Sequence, residues 1–374
     1  MSEEKTTTAE KEQEATTVSK DPSENQEIRF RRRGALAEVI LSRPNSLNAL
    51  TLKMIRHYTP YLPAWDANPA IRAVAIHGDG DKAFCAGGDV RTVWDAGKAG
   101  NDLTVRFFAE EYRLNREIRN LSKPYVALVD GVTMGGGIGL SVHGRYRIAG
   151  DKTVMAMPET GIGFFPDVGT TYVLSRLPGA LGMYLGLTGA RLGPADALYT
   201  GLATHYIPDG NALAIPDALV NLSAEEDTET KIEETLKAWG GDPGLAPLAE
   251  KRAVIDRCFG QPSVSAMMTA LEKEGSPWAQ ETYELLQSRS PTSLKLTCAA
   301  LQRAADQDFD ICLQMEYRLS QRCMAGYDFY EGIRAVLVDK DKTPVWSPKT
   351  LEEVDDEVIE QYFYPLGDRE LTFE

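Results

Sequence analysis

The 374-residue sequence lacks the features that define several broad classes of protein. It contains no uninterrupted apolar run long enough to cross a bilayer, so we expect no membrane-spanning segment. Its five cysteines include no CxxC pair, and their odd number does not fit a disulfide framework, which favours a reducing compartment. The four histidines and five cysteines show no metal-ligand spacing, so we expect no metal site.

The first 26 residues lack the usual marks of a targeting signal. They contain no apolar core and no arginine, and they are rich in acidic residues. This composition disfavours a secretory signal and a mitochondrial transit peptide. We therefore predict that residues 1–26 form a disordered acidic tail and that the protein is cytoplasmic.

Acidic residues outnumber basic ones along the chain. The sequence has 55 Asp and Glu against 40 Lys and Arg, which gives a formal net charge of −15. Such a charge repels polyanions, so we expect no nucleic-acid partner and no membrane partner. A local basic pocket for a phosphorylated small molecule stays compatible with this net charge, because the net charge does not show where basic residues cluster.

Local patterns divide the folded chain into two parts. Between residues 27 and 209, short β-rich segments such as 73–78 alternate with helical patterns such as 103–120. From residue 210 to residue 374, amphipathic helical patterns dominate. The chain also exceeds the size at which one core usually stops growing. We therefore predict an α/β core at 27–209 and a mainly helical region at 210–374.

Three glycine-rich segments each follow a predicted strand. They are KAFCAGGDVR at 82–91, DGVTMGGGIGLSVHG at 130–144 and MPETGIGFFPDVG at 157–169. Glycines between a strand and a helix leave backbone N–H groups uncovered, and such groups bind anions or stabilise a developing oxyanion. The third segment adds two carboxylates, Glu159 and Asp167. Each feature alone has a structural explanation, so the functional prediction depends on their conjunction.

The order and spacing of these segments, together with RPNSLNALT at 43–51, resemble the crotonase (enoyl-CoA hydratase/isomerase) superfamily. The closer resemblance is to its 3-hydroxyisobutyryl-CoA hydrolase branch. The segments that carry it are FFAEEYRLNREI at 107–118, SPTSLK at 290–295, MEYRLSQ at 315–321 and DFYEGIRAVLVDKD at 328–341. The resemblance runs from about residue 27 to about residue 355. It implies an α/β fold, the crotonase-type ββα superhelix, with a helical C-terminal region over the active site.

The resemblance also implies catalytic residues. The N–H groups of Gly88 and Gly136 would form the oxyanion hole that polarises a thioester carbonyl. Hydratases of this superfamily use two glutamates, and this sequence has Gly139 in place of the first and Glu159 as the second. Glu159 would act as a nucleophile through a transient anhydride, or as a general base on water. Asp167 would orient Glu159 or handle the water proton.

Substrate contacts are implied in the same way. The implied substrate-binding residues are Gly87, Asp89, Gly135, Glu111, Arg91, Asn48 and Ala49. Glu111 would hold a 3-hydroxyl in the acyl pocket, and Arg91 stands where many crotonases place a phosphate-binding cation. The loop at 43–49 resembles the adenine-side loop of the superfamily. Arg334, Lys340 and Lys342 are further candidates for the phosphates.

Three other residues invite a functional role, and we predict a structural one for each. His143 lies too far along its predicted helix to face the oxyanion site, so we expect a core or capping residue. Cys85 has no histidine in its motif, so we expect a small buried residue rather than a nucleophile. We expect Tyr112 to be an ordinary packing residue.

The predicted reaction is hydrolysis of a short 3-hydroxyacyl-CoA, most simply 3-hydroxyisobutyryl-CoA to 3-hydroxyisobutyrate and CoA in valine degradation. No cofactor is implied, because CoA enters as part of the substrate. One alternative is a hydratase or isomerase of the same fold, which Gly139 disfavours. A second alternative is a non-catalytic scaffold of the same fold. The sequence disfavours it, because Glu159, Asp167, Gly88 and Gly136 are all present. The oligomeric state stays open between a monomer and a homo-oligomer.

Overall fold

The computed structural model describes residues 27–222 and 227–373. The tail predicted at residues 1–26 lies outside these described residues. Within the described ranges, no helix combines the length and the apolar character needed to cross a membrane.

The described residues form two β-sheets. The strands are β1 Ile28–Arg33, β2 Leu36–Leu41, β3 Ala73–Gly78, β4 Ala83–Cys85, β5 Tyr125–Leu128, β6 Val132–Met134, β7 Tyr146–Ala149, β8 Val154–Ala156 and β9 His205–Tyr206. The larger sheet has the order β1-β2-β3-β5-β7-β9, and the smaller has the order β4-β6-β8. The predicted hairpin is confirmed, because β1 and β2 pair antiparallel, whereas the other pairs in both sheets are parallel.

Helices follow the strands in a repeating order. In the first part of the described chain they are α1 Leu52–Tyr58, α2 Tyr61–Ala67, α3 Val90–Lys98, α4 Leu103–Asn120, α5 Gly136–Val142, α6 Thr170–Leu174, α7 Leu181–Thr188 and α8 Pro194–Thr200. Each turn of the superhelix places one strand in the larger sheet and the next strand in the smaller one. The pairs β3–β4, β5–β6 and β7–β8 repeat in this way, with helices between them. This repetition is the predicted ββα superhelix.

The region after β9 is helical, as predicted. Its described helices are α9 Ile215–Leu219, α10 Thr228–Trp239, α11 Pro247–Phe259, α12 Val264–Glu274, α13 Pro277–Gln287, α14 Pro291–Ala304, α15 Phe309–Ala325, α16 Asp328–Ile333 and α17 Asp356–Tyr362. Short 3-10 turns lie at Pro44–Ser46, Glu159–Ile162, Asn211–Ala214 and Gly367–Arg369, and a π-helical turn lies at Arg334–Val338.

Both faces of the larger sheet are covered, which is why its central strands β3 and β5 are mostly apolar. In β3, Val74 and Ile76 point into one hydrophobic cluster, and Ala73 and Ala75 point into another. Successive side chains of a strand face opposite sides of the sheet, so an all-apolar strand needs a layer on each side. The second cluster also contains apolar residues of α9 and α10, which form its outer layer.

The C-terminal helices pack directly on the elements around the 157–169 segment. Helix α15 packs on α4 and α6, helix α14 packs on α6 and α7, and α16 packs on α3 and on the turn Glu159–Ile162. Apolar residues of α14 and α15 belong to the same hydrophobic cluster as the inner face of the larger sheet. A division into separate domains at residues 209 and 210 stays a prediction.

Candidate active site

The three glycine-rich segments meet at one edge of the smaller sheet. Strands β4, β6 and β8 are parallel neighbours, and one glycine-rich segment follows each of them. Because the carboxyl ends of parallel strands lie at the same edge, the loops after them are brought together. The fold therefore places segments that are far apart in sequence around one site.

Two backbone amides face each other at this edge. Helix α5 begins at Gly136, and the residues before the two amides have left-handed φ angles, 46° at Gly135 and 110° at Gly87. A Cβ placed on Gly136 would lie 3.3 Å from the backbone nitrogen of Gly88. The Gly88 and Gly136 amides are therefore close enough to serve one oxygen atom between them.

Two carboxylates lie against these glycines. Glu159 begins the 3-10 turn after β8, and its Oε1 would lie 3.1 Å from a Cβ placed on Gly135. Glu111 projects from the middle of α4, and its Oε1 would lie 2.5 Å from a Cβ placed on Gly136. A side chain at position 136 would therefore displace Glu111 and close the space in front of the amides.

Asp167 is the third buried acid of the site. Its Oδ2 accepts a hydrogen bond from the hydroxyl of Tyr112, which lies beside Glu111 on α4, at 2.7 Å. The expectation that Tyr112 is only a packing residue is therefore wrong, because its hydroxyl bonds the acid. Glu111, Asp167 and Glu159 are 2%, 5% and 6% exposed, respectively.

Burial raises the pKa of all three acids. Loss of hydration is the largest cause at each, and the charge of Asp167 raises the pKa of Glu111 and of Glu159 further. The Tyr112 hydrogen bond acts in the opposite direction on the pKa of Asp167. The three carboxyls therefore titrate as an interacting set.

Two oxygens of this set are unbonded. Within the described residues, Oε2 of Glu159 and Oε1 of Glu111 are buried and have no hydrogen-bond partner. A buried polar atom without a partner is costly, and such atoms at a site are commonly met by a ligand or an ordered water. The two oxygens therefore mark where substrate or water binds.

A turn with unusual backbone angles follows Asp167. Val168 and Gly169 have φ angles of 56° and 78°. Nε2 of His143 lies 2.6 Å from the Val168 carbonyl oxygen, and this contact requires the proton on Nε2. Burial lowers the pKa of His143 to about 4, which keeps the ring neutral. The predicted core role of His143 is confirmed.

Glu316 of α15 binds the same turn, and the sequence reasoning did not single it out as a site residue. It accepts hydrogen bonds from the Gly169 amide at 2.6 Å and from the Thr171 amide at 3.0 Å. The Thr171 hydroxyl donates a third bond at 2.6 Å. The available signal was an acidic residue on the otherwise apolar buried side of α15, within the MEYRLSQ segment.

The position of the missing hydratase glutamate is closed. A Cβ placed on Gly139 would lie 2.7 Å from Cβ of Val168 and 2.9 Å from Nδ2 of Asn115. Both distances are too short for a side chain without rearrangement. The turn after Asp167 therefore occupies the space that a second glutamate would need.

An aromatic cluster lies next to Gly88. The ring of Phe107 would lie 3.0 Å from a Cβ placed on Gly88. Next to it, the rings of Phe108 and Phe164 stack with centroids 5.4 Å apart. The Phe107 ring therefore bounds the space beside Gly88.

The loop at 43–49 is fixed by its own asparagine. The Asn48 side chain accepts a bond from the Arg43 amide at 2.9 Å and donates to the Asp79 and Ala83 carbonyls at 3.0 and 2.9 Å. Arg43 in turn donates to the carbonyl of Ala49 at 2.6 Å. Because Asn48 is fully buried, its side chain supports the loop and does not face solvent.

The predicted phosphate contacts differ in how available they are. Arg91 is half-exposed, 3.2 Å from Asp95 and stacked over Trp94. Asp89 accepts from the Thr92 amide at the start of α3 and from Arg43, so it is a structural cap. Among the C-terminal candidates Lys340 and Lys342 are exposed, whereas the guanidinium of Arg334 is occupied by carboxylates. Its partners are Glu331, Asp339 and Asp341.

Two negative findings concern the described ranges. Within residues 27–222 and 227–373, no three His, Cys, Asp or Glu side chains are placed to hold a metal ion. Cys85 is buried as predicted, and burial raises the pKa of its thiol to about 12, so a thiolate nucleophile is disfavoured there.

Known proteins resemble this chain over most of its length. Residues 36–363 match the family described as enoyl-CoA hydratase/isomerase. Proteins named 3-hydroxyisobutyryl-CoA hydrolase, mitochondrial, from Danio rerio and Homo sapiens are 46% and 42% identical to it. These alignments cover 92% and 95% of this chain and 91% and 93% of the relatives.

Two solved structures share the whole fold. A carnitinyl-CoA dehydratase from Mycobacterium thermoresistibile has 40% identity and a TM-score of 0.87, covering 94% of this chain and 99% of that one. An enoyl-CoA hydratase from Rhodobacter sphaeroides 2.4.1 has 36% identity and a TM-score of 0.84, covering 93% and 100%.

The relatives correct one expectation. The predicted cytoplasmic location is wrong, because the curated relatives are named as mitochondrial proteins. The prediction relied on the composition of residues 1–26, which lie outside the described residues. The fold itself does not indicate a cellular location.

The sequence motifs, the fold and the relatives lead to the same family. The motifs that suggested it lie at the edge of the smaller sheet, where the fold brings them together. Because the family match covers residues 36–363 and the identity to curated relatives reaches 46% over 92% of this chain, the chain belongs to the enoyl-CoA hydratase/isomerase (crotonase) family and, within it, to the 3-hydroxyisobutyryl-CoA hydrolase branch.

Proposed function

We propose that the protein hydrolyses 3-hydroxyisobutyryl-CoA to 3-hydroxyisobutyrate and CoA, a step of valine degradation. The observation that carries the proposal is the position of Glu159 against Gly135, where the charge of Asp167 acts on it, while Gly139 is closed by Val168 and Asn115. Hydration of a double bond needs one group to activate water and another to protonate carbon. Thioester hydrolysis needs an activated nucleophile, an oxyanion hole and a leaving thiolate. The names of the curated relatives support the same reaction.

The amides of Gly88 and Gly136 would bind the thioester oxygen. As the carbonyl carbon is attacked, negative charge develops on that oxygen, and each fixed donor stabilises it by about 3–4 kcal/mol. Glu111 lies against Gly136, where an ionised carboxylate would repel this charge. The raised pKa of Glu111 favours its protonated form, which removes the repulsion and leaves a neutral group to bond the substrate 3-hydroxyl.

Glu159 carries the reaction by one of two routes. In the first, its carboxylate attacks the carbonyl carbon, the CoA thiolate leaves, and water hydrolyses the resulting anhydride. In the second, Glu159 takes a proton from water while that water attacks the carbonyl carbon. Asp167 orients Glu159 or takes the water proton, and the thiolate is protonated at the end of either route. The raised pKa of Glu159 makes its ionised form a stronger base than an exposed carboxylate.

The rest of the substrate would lie along the surface loops. Arg91, whose half-exposed side chain pairs with Asp95, would meet a phosphate of CoA. The 43–49 loop is held against the residues around Gly87, since the Leu50 amide donates to the Gly87 carbonyl at 2.8 Å. The reaction as proposed uses no metal or redox cofactor. The acyl group would lie beside the ring of Phe107, which lies next to Gly88.

Two further parts of the proposal concern location and assembly. The names of the curated relatives support a mitochondrial location, which fractionation of cells expressing the full chain tests. A homo-oligomer is supported by exposed apolar side chains in the C-terminal region, including Tyr327, Val345 and Tyr364. Light scattering on the purified chain measures the oligomeric mass.

Release of free thiol from a panel of acyl-CoAs tests the activity. We expect fast release from 3-hydroxyisobutyryl-CoA and little from isobutyryl-CoA, which lacks the hydroxyl. 3-Hydroxypropionyl-CoA lacks one methyl, so it should be discriminated by only about ten- to two-hundred-fold. Hydration of crotonyl-CoA is followed in parallel. Rapid hydration without thiol release would make the protein a hydratase, and silence in both assays would favour the scaffold.

A further inference from the structure

The MEYRLSQ segment contains an acid that the proposed reaction does not use. Glu316 is 0% exposed, although it belongs to α15, in the C-terminal helical region. A buried carboxyl is costly unless hydrogen bonds compensate for the lost hydration. The partners of Glu316 therefore indicate what this residue does.

All recorded bonds of Glu316 go to the segment that follows Asp167. One oxygen accepts from the Gly169 amide, and the other accepts from the amide and the hydroxyl of Thr171. The bonds join residues up to 147 positions apart in sequence, from α15 to the start of α6. One side chain thus fixes the backbone on the C-terminal side of Asp167.

The backbone at this place needs such support. Val168 is β-branched, and a φ of 56° puts it in a region that β-branched residues rarely adopt. Such conformations persist only where the surroundings over-determine them, and they cluster at functional sites. Besides Glu316, the Val168 carbonyl accepts from His143, and the Asp167 carbonyl accepts from the amide and hydroxyl of Thr170 at 2.9 and 2.6 Å.

We propose that Glu316 is a positioning residue, which holds the Val168–Gly169 turn so that Asp167 stays beside Tyr112 and Glu159. Its hydrogen bonds go to Gly169 and Thr171 and not to Gly88 or Gly136, so it acts through Asp167. The kinetic part of this inference rests on the proposed hydrolysis. The structural part, the holding of the turn, does not depend on the reaction.

The pKa of Glu316 indicates its charge state. The titratable groups around Glu316 are Asp167, Tyr112, Cys312 and His143. Burial raises the pKa of Glu316 to about 8, and repulsion by Asp167 contributes in the same direction. Glu316 is therefore neutral where Asp167, with a pKa of about 7, takes up its proton, and removing Glu316 should leave the pKa of Asp167 nearly unchanged.

The substitution Glu316→Gln tests the inference. A glutamine side chain keeps the size but presents an NH2 group to one set of donors, so the Gly169 or Thr171 amide loses its acceptor. We expect kcat for 3-hydroxyisobutyryl-CoA to fall at least about tenfold, with KM within about twofold of the wild-type value. The acid limb of the kcat profile should stay in place, because a pKa of about 8 keeps Glu316 neutral at the pH values where Asp167, with a pKa of about 7, takes up its proton.

Asp196→Asn is the matched control. Asp196 is also buried, at 8% exposure, its pKa is also raised by burial, and it caps the Leu248 amide at 2.9 Å, outside the site. This variant should lose stability while kcat stays within about twofold of the wild-type value and the acid limb stays in place. An equal loss of kcat in both variants would show that Glu316 is merely structural.

Hydrogen exchange measures the turn without any turnover. The amides of residues 167–171 should exchange faster in Glu316→Gln than in the wild type. In Asp196→Asn their exchange rates should equal those of the wild type. If Glu316→Gln does not fold, Thr171→Val removes only the hydroxyl donor and should give smaller changes in the same direction. Wild-type exchange in this segment together with wild-type kcat would overturn the positioning role. Absence of thiol release by the wild type would overturn the proposed function instead, and exchange alone would then decide on Glu316.

Discussion

Glu159 and Asp167 lie in one loop, but the protein positions them by different means. Glu159 comes directly after β8, so the parallel sheet brings it to the same edge as the glycine amides. Asp167 lies before a turn with left-handed Val168 and Gly169. Three distant side chains hold that end of the loop, namely Tyr112, His143 and Glu316. A strand end places a side chain through local sequence, whereas a strained turn needs bonds from elsewhere in the fold.

The C-terminal region also contacts the Glu159 end, through its backbone. The Ser290 amide donates to the Thr160 carbonyl at 3.2 Å, and the Ser290 hydroxyl donates to Asp328 at 2.5 Å. These residues belong to the SPTSLK and DFYEGIR segments, which lie outside the α/β core. The late segments therefore support the catalytic loop at both of its ends.

The largest effect should come from Glu159→Gln, which removes the reacting group and leaves its position unchanged. We expect kcat to fall at least about a thousandfold, because neither the anhydride route nor the general-base route operates without a carboxylate. Binding of an acyl-CoA, measured by calorimetry, should stay within about twofold. Turnover near the wild-type rate would remove Glu159 from the mechanism.

Gly136→Ala should come next, with a fall in kcat of about a hundred- to a thousandfold. The new Cβ would lie 2.5 Å from Oε1 of Glu111 and 3.3 Å from the Gly88 nitrogen, so it blocks the amide pair on which Glu159 depends. Thiol-release kinetics measures the loss. Gly193→Ala is the control, since no atom lies within 4 Å of a Cβ placed there, and it should keep wild-type kcat.

Gly139→Glu should disturb the turn that follows Asp167. The first carbon of the side chain already meets Val168 and Asn115 at 2.7 and 2.9 Å, so the turn must shift. We expect hydrolysis to fall by about tenfold or more, hydration of crotonyl-CoA to stay at trace levels, and overpacking to cost about 1–3 kcal/mol of unfolding free energy. Efficient hydration by this variant would show that the turn accommodates a second glutamate.

A smaller effect should appear in the pH dependence of kcat/KM, which depends on Glu159 and Asp167. Burial raises the pKa of Glu159, which must be ionised to react, so kcat/KM should be lost on acidification through a limb above the ordinary carboxyl value of 4.5. In Tyr112→Phe, Asp167 loses the hydrogen bond that lowers its pKa, so it stays protonated to higher pH and its charge raises the pKa of Glu159 less. The limb should therefore move to lower pH. A limb at the ordinary carboxyl value in both proteins would mean that burial does not control these acids.

Much of the fold and half of the site could be predicted from local sequence. The hairpin at 28–41, the strand at 73–78 and the helix at 103–120 follow from periodicity and turn residues. The family motifs indicated the glycine amides and Glu159, because strand ends and glycines leave a signal within a few residues. The structure then brings these segments together through the parallel order of β4, β6 and β8.

The support of Asp167 could not be predicted in the same way. Glu316 and Gly169 are 147 residues apart, and no local pattern pairs them. Tyr112 was assigned to packing because a buried tyrosine on an apolar helix face gives no sign of which acid its hydroxyl meets. The side chain of Asn48, which is predicted to contact substrate, makes one hydrogen bond to the Arg43 amide in its own loop and two to the carbonyls of Asp79 and Ala83 outside it.

A double-mutant cycle on kcat tests most directly whether the two acids act as one catalytic unit. It compares Glu159→Gln, Asp167→Asn and the double variant in thiol release from 3-hydroxyisobutyryl-CoA. Because the charge of Asp167 acts on Glu159 and both serve one step, we predict a double variant little worse than Glu159→Gln alone. Losses that multiply independently would contradict the account and would assign the two acids to separate tasks.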